Sequence, residues 1–175
     1  MTRRPTAALA IVLLLALAGC GFHLRNALLL PTDLGPLQIV AADPHSVLAL
    51  DLEQALGRTG ADIVPVGTAV VEGENATLNI IGERWGDTPI SIDEFGRAQE
   101  FTLRYAVIFS MQHADGTDLV PQQAIELARD YVSVPTGSIG TEGEREILAR
   151  EMRREMVTSI LRRIDAVSRL SWEAP

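Results

Sequence analysis

The clearest pattern in the chain is an alternation. Between Arg97 and Met111, the residues Phe101, Leu103, Tyr105, Val107, Phe109 and Met111 take every second position, with Thr102, Arg104 and Ser110 among the residues between them. A period of two predicts a strand with one buried and one open face. Asp115-Gly116 comes next as a hairpin turn signal, and residues 124–134 (AIELARDYVSV) are read as the returning strand. Their Ala, Glu and Leu favour helix, but the hairpin and the YVSV ending decide for strand. A period of four closes the chain: Leu148, Met152, Met156, Ile160 and Ile164, widened by Ile147 and Val167. Glu151, Arg154, Glu155, Thr158, Arg162 and Asp165 form the other face. This predicts an amphipathic helix opened by a Thr141-x-x-Glu144 capping box. Arg163 falls on the apolar side and is read as snorkelling.

The upstream half is weaker in signal. LQIVA (37–41) reads as a short strand. Asp43-Pro44 reads as an N-cap and first helical position, ahead of Leu48, Leu52, Ala55 and Leu56 on one helical face. Gly57 or Gly60 ends that helix. ADIVPV carries Pro65 and is at best an edge strand. EGEN (72–75) is a turn and ATLNIIGERW (76–85) a strand. GDTPISIDEFG reads as a loop, although Ile90 and Ile92 alternate, and PTGSIGT (135–141) as a strand-to-helix linker.

The order is β-α-β-β-β-α. One apolar sheet face and two amphipathic helices bury each other, which predicts an α+β fold: a two-layer α/β sandwich with two helices on a roughly four-stranded mixed or antiparallel sheet. A fifteen-residue strand spans ~50 Å at ~3.3 Å per residue, and a twenty-seven-residue helix ~40 Å at ~1.5 Å. The domain is therefore expected to be elongated.

The first nineteen residues stand apart. Arg3 and Arg4 precede the apolar run TAALAIVLLLALA, which is short of the ~20 residues a membrane-spanning helix needs and fits the core of a secretory signal. It ends in Leu17-Ala18-Gly19-Cys20, which resembles a bacterial lipobox and implies a diacylglycerol on the Cys20 sulfur, cleavage after Gly19 and acylation of the new amine. Several acyl chains anchor stably, at ~0.8 kcal/mol per buried methylene. Gly21 rather than Asp after the cysteine favours the outer membrane. The expected organisation is a removed signal at 1–19, a lipidated tether at 20–36 with Pro31, Gly35 and Pro36, one domain at 37–170 and a short tail at 171–175.

Composition narrows function mainly by exclusion. The chain has 175 residues and no lysine, with fifteen arginines against twenty-three acidic residues. Without the leader, thirteen arginines remain against the same acids, a net charge of −10. That argues against nucleic-acid binding, which needs a basic surface, and against hugging an anionic bilayer. The lone Cys20 makes no internal disulfide. His23, His45 and His113 lack metal-ligand spacing, and HADGTD (113–118) lacks the calcium-loop pattern. PTGSIGT has neither G-x-S-x-G spacing nor a P-loop lysine. Asp93-Glu94 and Glu72/Glu74 lie in polar turns with no sign of desolvation. No catalytic or metal residue is assigned, and no cofactor beyond the lipid on Cys20. Residues 142–170 hold seven arginines and six acids. They read as a salt-bridged helix face with Glu146–Arg150 at i, i+4, or alternatively as a flank for phosphate groups.

The residues after the cysteine are more specific. Cys20-Gly21-Phe22-His23-Leu24-Arg25 resembles the mature start of the LptE lipopolysaccharide-assembly lipoproteins. The likeness continues through GRAQEFTLRY (96–105), Arg129-x-Tyr131 and REMRREMVTSILRRI in the closing helix. Asn26 departs from the usual Gly or Asp, and Glu94 and Thr141 fall where some members carry basic residues linked to lipopolysaccharide. The resemblance implies two helices on a four-stranded sheet and a non-enzymatic partner of the outer-membrane LptD β-barrel. Such a partner is seated in the lumen on the periplasmic side, aiding barrel assembly and delivery of lipopolysaccharide to the cell surface. A glycolipid-binding lipoprotein, or an accessory of another envelope transport machine, is the alternative expectation.

Overall fold

The computed structural model describes Leu30, residues 34–69, Val71, residues 73–133 and residues 138–173. The leader, Cys20, Gly21, Phe22, His23, Leu24, Arg25 and Asn26 lie outside the described residues. The elements are β1 (Leu37–Ala41), α1 (Val47–Gly57), β2 (Ile63–Val64), β3 (Ala76–Ile92), β4 (Ala98–Gln112), β5 (Asp118–Val132) and α2 (Ser138–Glu173). They form one mixed sheet in the order β2-β1-β3-β4-β5, with both helices on one face. The fold is the expected α+β sandwich with one more strand than the sequence pattern predicts. The extra strand is β2, a two-residue edge in the Pro65 segment that runs parallel to β1.

Three local expectations are corrected. The α1 cap is Ser46, not Asp43: the Ser46 hydroxyl accepts from the Ala49 N–H, while Asp43 Oδ1 accepts from the His45 N–H one turn earlier. GDTPISI is strand, not loop, because 86–92 pair antiparallel with the start of β4. Pro89 is tolerated there since β1 ends opposite Ile80, leaving distal β3 as an edge. Only Asp93–Arg97 turns, closed by the Asp93 N–H to Arg97 carbonyl bond of 2.8 Å and by Gly96 at φ +76°. Finally, α2 starts at Ser138, so Thr141 and Glu144 are inside the helix rather than at its cap. Residues 138–141 of the expected linker are helical and 135–137 lie outside the described residues.

The core lies between sheet and helices. Leu48, Leu52 and Leu56 of α1, and Met152, Met156, Ile160 and Ile164 of α2, are fully or nearly fully buried. They pack against Leu37, Leu78 and the predicted β4 row from Leu103 to Met111. Ile147 departs from the expected face: it is exposed rather than packed. Arg163 reaches off the apolar side to Gln123 of β5, and Glu146–Arg150 forms the expected i, i+4 pair at 3.1 Å.

One irregularity sets the character of distal β3. The β3–β4 register slips between Ile80 and Gly82, so Ile81 is a bulge residue. Before it, Ala76, Leu78 and Ile80 face the helices; after it, Glu83, Trp85 and Asp87 do. The slip moves two acids and a tryptophan from the open face to the covered one.

Candidate interaction surface

Glu83 sits at the waist of the molecule, where α1 ends its cover of the sheet. Its carboxylate accepts from the Ser46 hydroxyl at 2.8 Å and the Tyr105 hydroxyl at 2.7 Å, joining the α1 cap, β3 and β4. Burial, reinforced by Glu83, raises the Tyr105 phenol above its ordinary pKa, so it stays a donor. The Trp85 and Tyr105 rings stack at 3.7 Å, and the Arg153 guanidinium lies 5.9 Å from the Trp85 ring. Beside this group, at the carboxyl end of β1, is a cavity of about 510 Å³ lined by residues that include His45, Glu83, Trp85 and Arg153.

Further along, Asp87 takes a two-nitrogen clasp from Arg145 of α2, at 3.2 and 2.8 Å, and accepts from the Tyr131 hydroxyl at 3.0 Å. The Arg145 hydrogen bond is the main cause holding the Asp87 carboxyl below its ordinary pKa, against burial. Arg129 pairs with Glu155 at 2.6 Å. The family-like Arg129-x-Tyr131 segment thus ties β5 to α2 and β3, which is a bracing role.

Among the described residues, two surfaces remain uncovered. The open sheet face carries the Arg104–Glu126 pair and the Thr102–Asp130 hydrogen bond, with Ile81 and Ile108 exposed. The β3–β4 hairpin tip is the more apolar: Ile90, Ile92 and Phe95 are 52%, 68% and 73% exposed. Asp93 stiffens this tip by accepting from the Phe95 and Arg97 N–H groups and from the Arg97 side chain. The Arg97 backbone N–H bond leads in lowering the Asp93 pKa. Arg97 also lies 5.1 Å over the Phe95 ring. Asp93 is therefore the organiser of the tip, where the sequence pattern alone gives one half of a solvated acidic pair with Glu94. His113 and Asp115 close the β4–β5 turn as expected, with Gly116 at φ +83°. No helix among the described residues is long and apolar enough to cross a membrane.

The chain matches known proteins over most of its length. The LptE family model, described as lipopolysaccharide-assembly, matches residues 34–164. An LPS-assembly lipoprotein LptE of Yersinia pestis is 31% identical over 150 residues, covering 86% of this chain and 70% of that one. One from Photorhabdus laumondii is 29% identical, covering 86% and 79%. Among solved structures, a lipoprotein B from Nitrosomonas europaea superposes with a TM-score of 0.66 at 26% identity, covering 83% of this chain and 91% of that one. The rare lipoprotein B from Shewanella oneidensis gives 0.64 at 24% identity, covering 80% and 100%, and speaks for the fold alone.

Fold, surfaces and relatives together define the class: a non-enzymatic, two-layer α+β component of lipopolysaccharide assembly in the cell envelope. The chain belongs to the LptE family.

Proposed function

We propose that this chain is an outer-membrane lipoprotein, held by lipid on Cys20, that occupies and helps assemble the lumen of an LptD-type β-barrel delivering lipopolysaccharide to the cell surface. In this reading Cys20 carries the anchor, and Gly21, Phe22, His23, Leu24 and Arg25 lead from it to the domain. The observation that carries the reading is the one-sided sheet. Its seventeen-residue β3 spans ~56 Å at ~3.3 Å per residue, both helices cover one face, and among the described residues nothing covers the other. A long, narrow body with an uncovered face suits insertion into a large barrel, whose lumen admits a plug. Depleting the chain should lower surface lipopolysaccharide and leave the barrel misassembled. Unchanged surface lipopolysaccharide after full depletion contradicts the proposal.

A second reading rests on α2. Among the described residues, Arg154 and Arg162 are on its exposed face and form no ion pair, so they are available to phosphate groups. Salt-sensitive lipopolysaccharide binding that falls when both become Gln supports it; unaltered binding removes it.

A further inference from the structure

We infer that the outer edge of β5 is a strand-addition site, where an extended segment of the barrel partner continues the sheet. This rests on the lumen-seated reading above and deepens it by naming the backbone groups that make the contact.

The sheet ends at β5: among the described residues no strand pairs with its far side. From Gln123 to Val132 its pairing with β4 runs in one unbroken register. The Ser133 N–H extends that ladder to the Gln99 carbonyl at 2.7 Å. In an antiparallel ladder every second residue exchanges both backbone bonds with its neighbour, and those between turn theirs away. Ser133 fixes the phase. The odd-numbered residues bond to β4, so Ala124, Glu126, Ala128, Asp130 and Val132 aim N–H and C=O outward, and all five are exposed. The Ala128 carbonyl confirms the phase, because it accepts from Nη1 of Arg129 at 2.8 Å. Nη2 of the same guanidinium holds Glu155 of α2, so Arg129 stays anchored when a strand displaces Nη1.

The other edges suit such pairing poorly. β2 has two residues and is followed by Pro65. Distal β3 contains Pro89 and slips register on either side of Ser91, and a proline removes a ladder donor. Residues 122–132 of β5 hold no proline and no lysine, two of the devices that blunt an exposed edge.

Outward donors and acceptors in alternation fit an extended backbone. The acids on this edge select whose. A second copy aligned about Ala128 sets Glu126 against Asp130 twice, and one aligned about Glu126 sets that acid against itself. Like charges directly opposite destabilise a strand pair. A different polypeptide is the fitting strand, with a cation or a hydroxyl opposite Asp130, as Thr102 supplies from β4 at 2.6 Å. A closed barrel wall has no free edge of its own, so the segment is one folded inward from it.

Amide exchange in the full-length lipidated chain, alone and co-purified with its barrel, reads the alternation. In the chain alone, the five outward amides should exchange fast and the odd-numbered ones from Ile125 to Tyr131 slowly. In the complex the outward five should slow by about tenfold or more. Outward amides that exchange equally fast in both states overturn the inference. Ala124→Pro with Ala128→Pro removes two outward donors without touching a β4 bond. Barrel recovery should then fall about tenfold or more, as two lost hydrogen bonds imply. Ala124→Ser with Ala128→Ser keeps both donors and should recover the barrel as the unaltered chain does. Full recovery with the proline pair also overturns the inference, and if thermal unfolding shows that pair to be unstable, the exchange pattern decides. Failure of the unaltered chain to recover any barrel refutes the lumen reading and this inference with it. A recovered barrel with unprotected outward amides refutes strand addition alone.

Discussion

Glu83 shows how much one side chain can hold. It is the shared acceptor for Ser46 and Tyr105, and a hydrogen bond to a charged group contributes about 1.5–3 kcal/mol. Tyr105→Phe should lower stability by about 1–3 kcal/mol, and Ser46→Ala by about 1 kcal/mol through the lost cap. Because both act on one carboxylate, the double variant should be non-additive by about 0.5 kcal/mol or more. Urea unfolding of the four proteins checks this, and strict additivity would show that Glu83 does not couple them. Asp87 makes a pH prediction. Its folded pKa is depressed below 3.8 by Arg145, so its stabilisation is fully present above the unfolded value, near ~3.9. It is lost as pH falls through the folded value. Asp87→Asn should flatten the acid limb of stability below about pH 4. The cost at pH 7 should stay below about 1 kcal/mol, since both side chains are about a third exposed. An unchanged acid limb contradicts the assignment.

At the scale of elements, α2 holds the core together, and in the proposed reading the exposed β3–β4 hairpin serves contact with the partner. Met156→Ala, in the buried helix face, should cost about 2–5 kcal/mol. Phe95→Ser, exposed at the tip, should change stability by no more than about 0.5 kcal/mol while reducing barrel capture. Thermal denaturation and pull-down of the same variants separate the two effects, and a destabilised Phe95→Ser protein would place that residue in the core instead. The β4 row and the α2 stripe are legible in the sequence because each holds one uninterrupted period over many residues. The β3 strand is legible only to Trp85. Its bulge at Ile81 shifts the phase, so Glu83, Trp85 and Asp87 change face with no local mark, and the distal residues lose their β1 neighbour. The α1 cap is displaced by three residues from the predicted one because Asp43-Pro44 and Ser46 are both competent starts, and only tertiary contact with Glu83 selects the second. The tip itself has no signature: an exposed aromatic in DEFGR is indistinguishable, by pattern, from a turn residue.

In the proposed reading, the whole molecule joins a lipidated Cys20 to an elongated acidic body. Cys20→Ser should abolish the acyl mass increment and move the chain from the membrane to the soluble fraction, with domain stability unchanged, as fractionation and mass spectrometry will show. Retention in the membrane would mean that something other than Cys20 anchors it. Family membership is legible from the residues after Cys20 and from the order of elements, and the matches over residues 34–164 agree with it. The most direct measurement is affinity purification of the full-length, lipidated chain from detergent-solubilised envelopes of its own bacterium. One large outer-membrane β-barrel of the LptD type, recovered one-to-one and resistant to high salt, is the expected result. Recovery of the chain alone, or with a salt-labile mixture lacking that barrel, would contradict its role as a barrel-seated assembly partner.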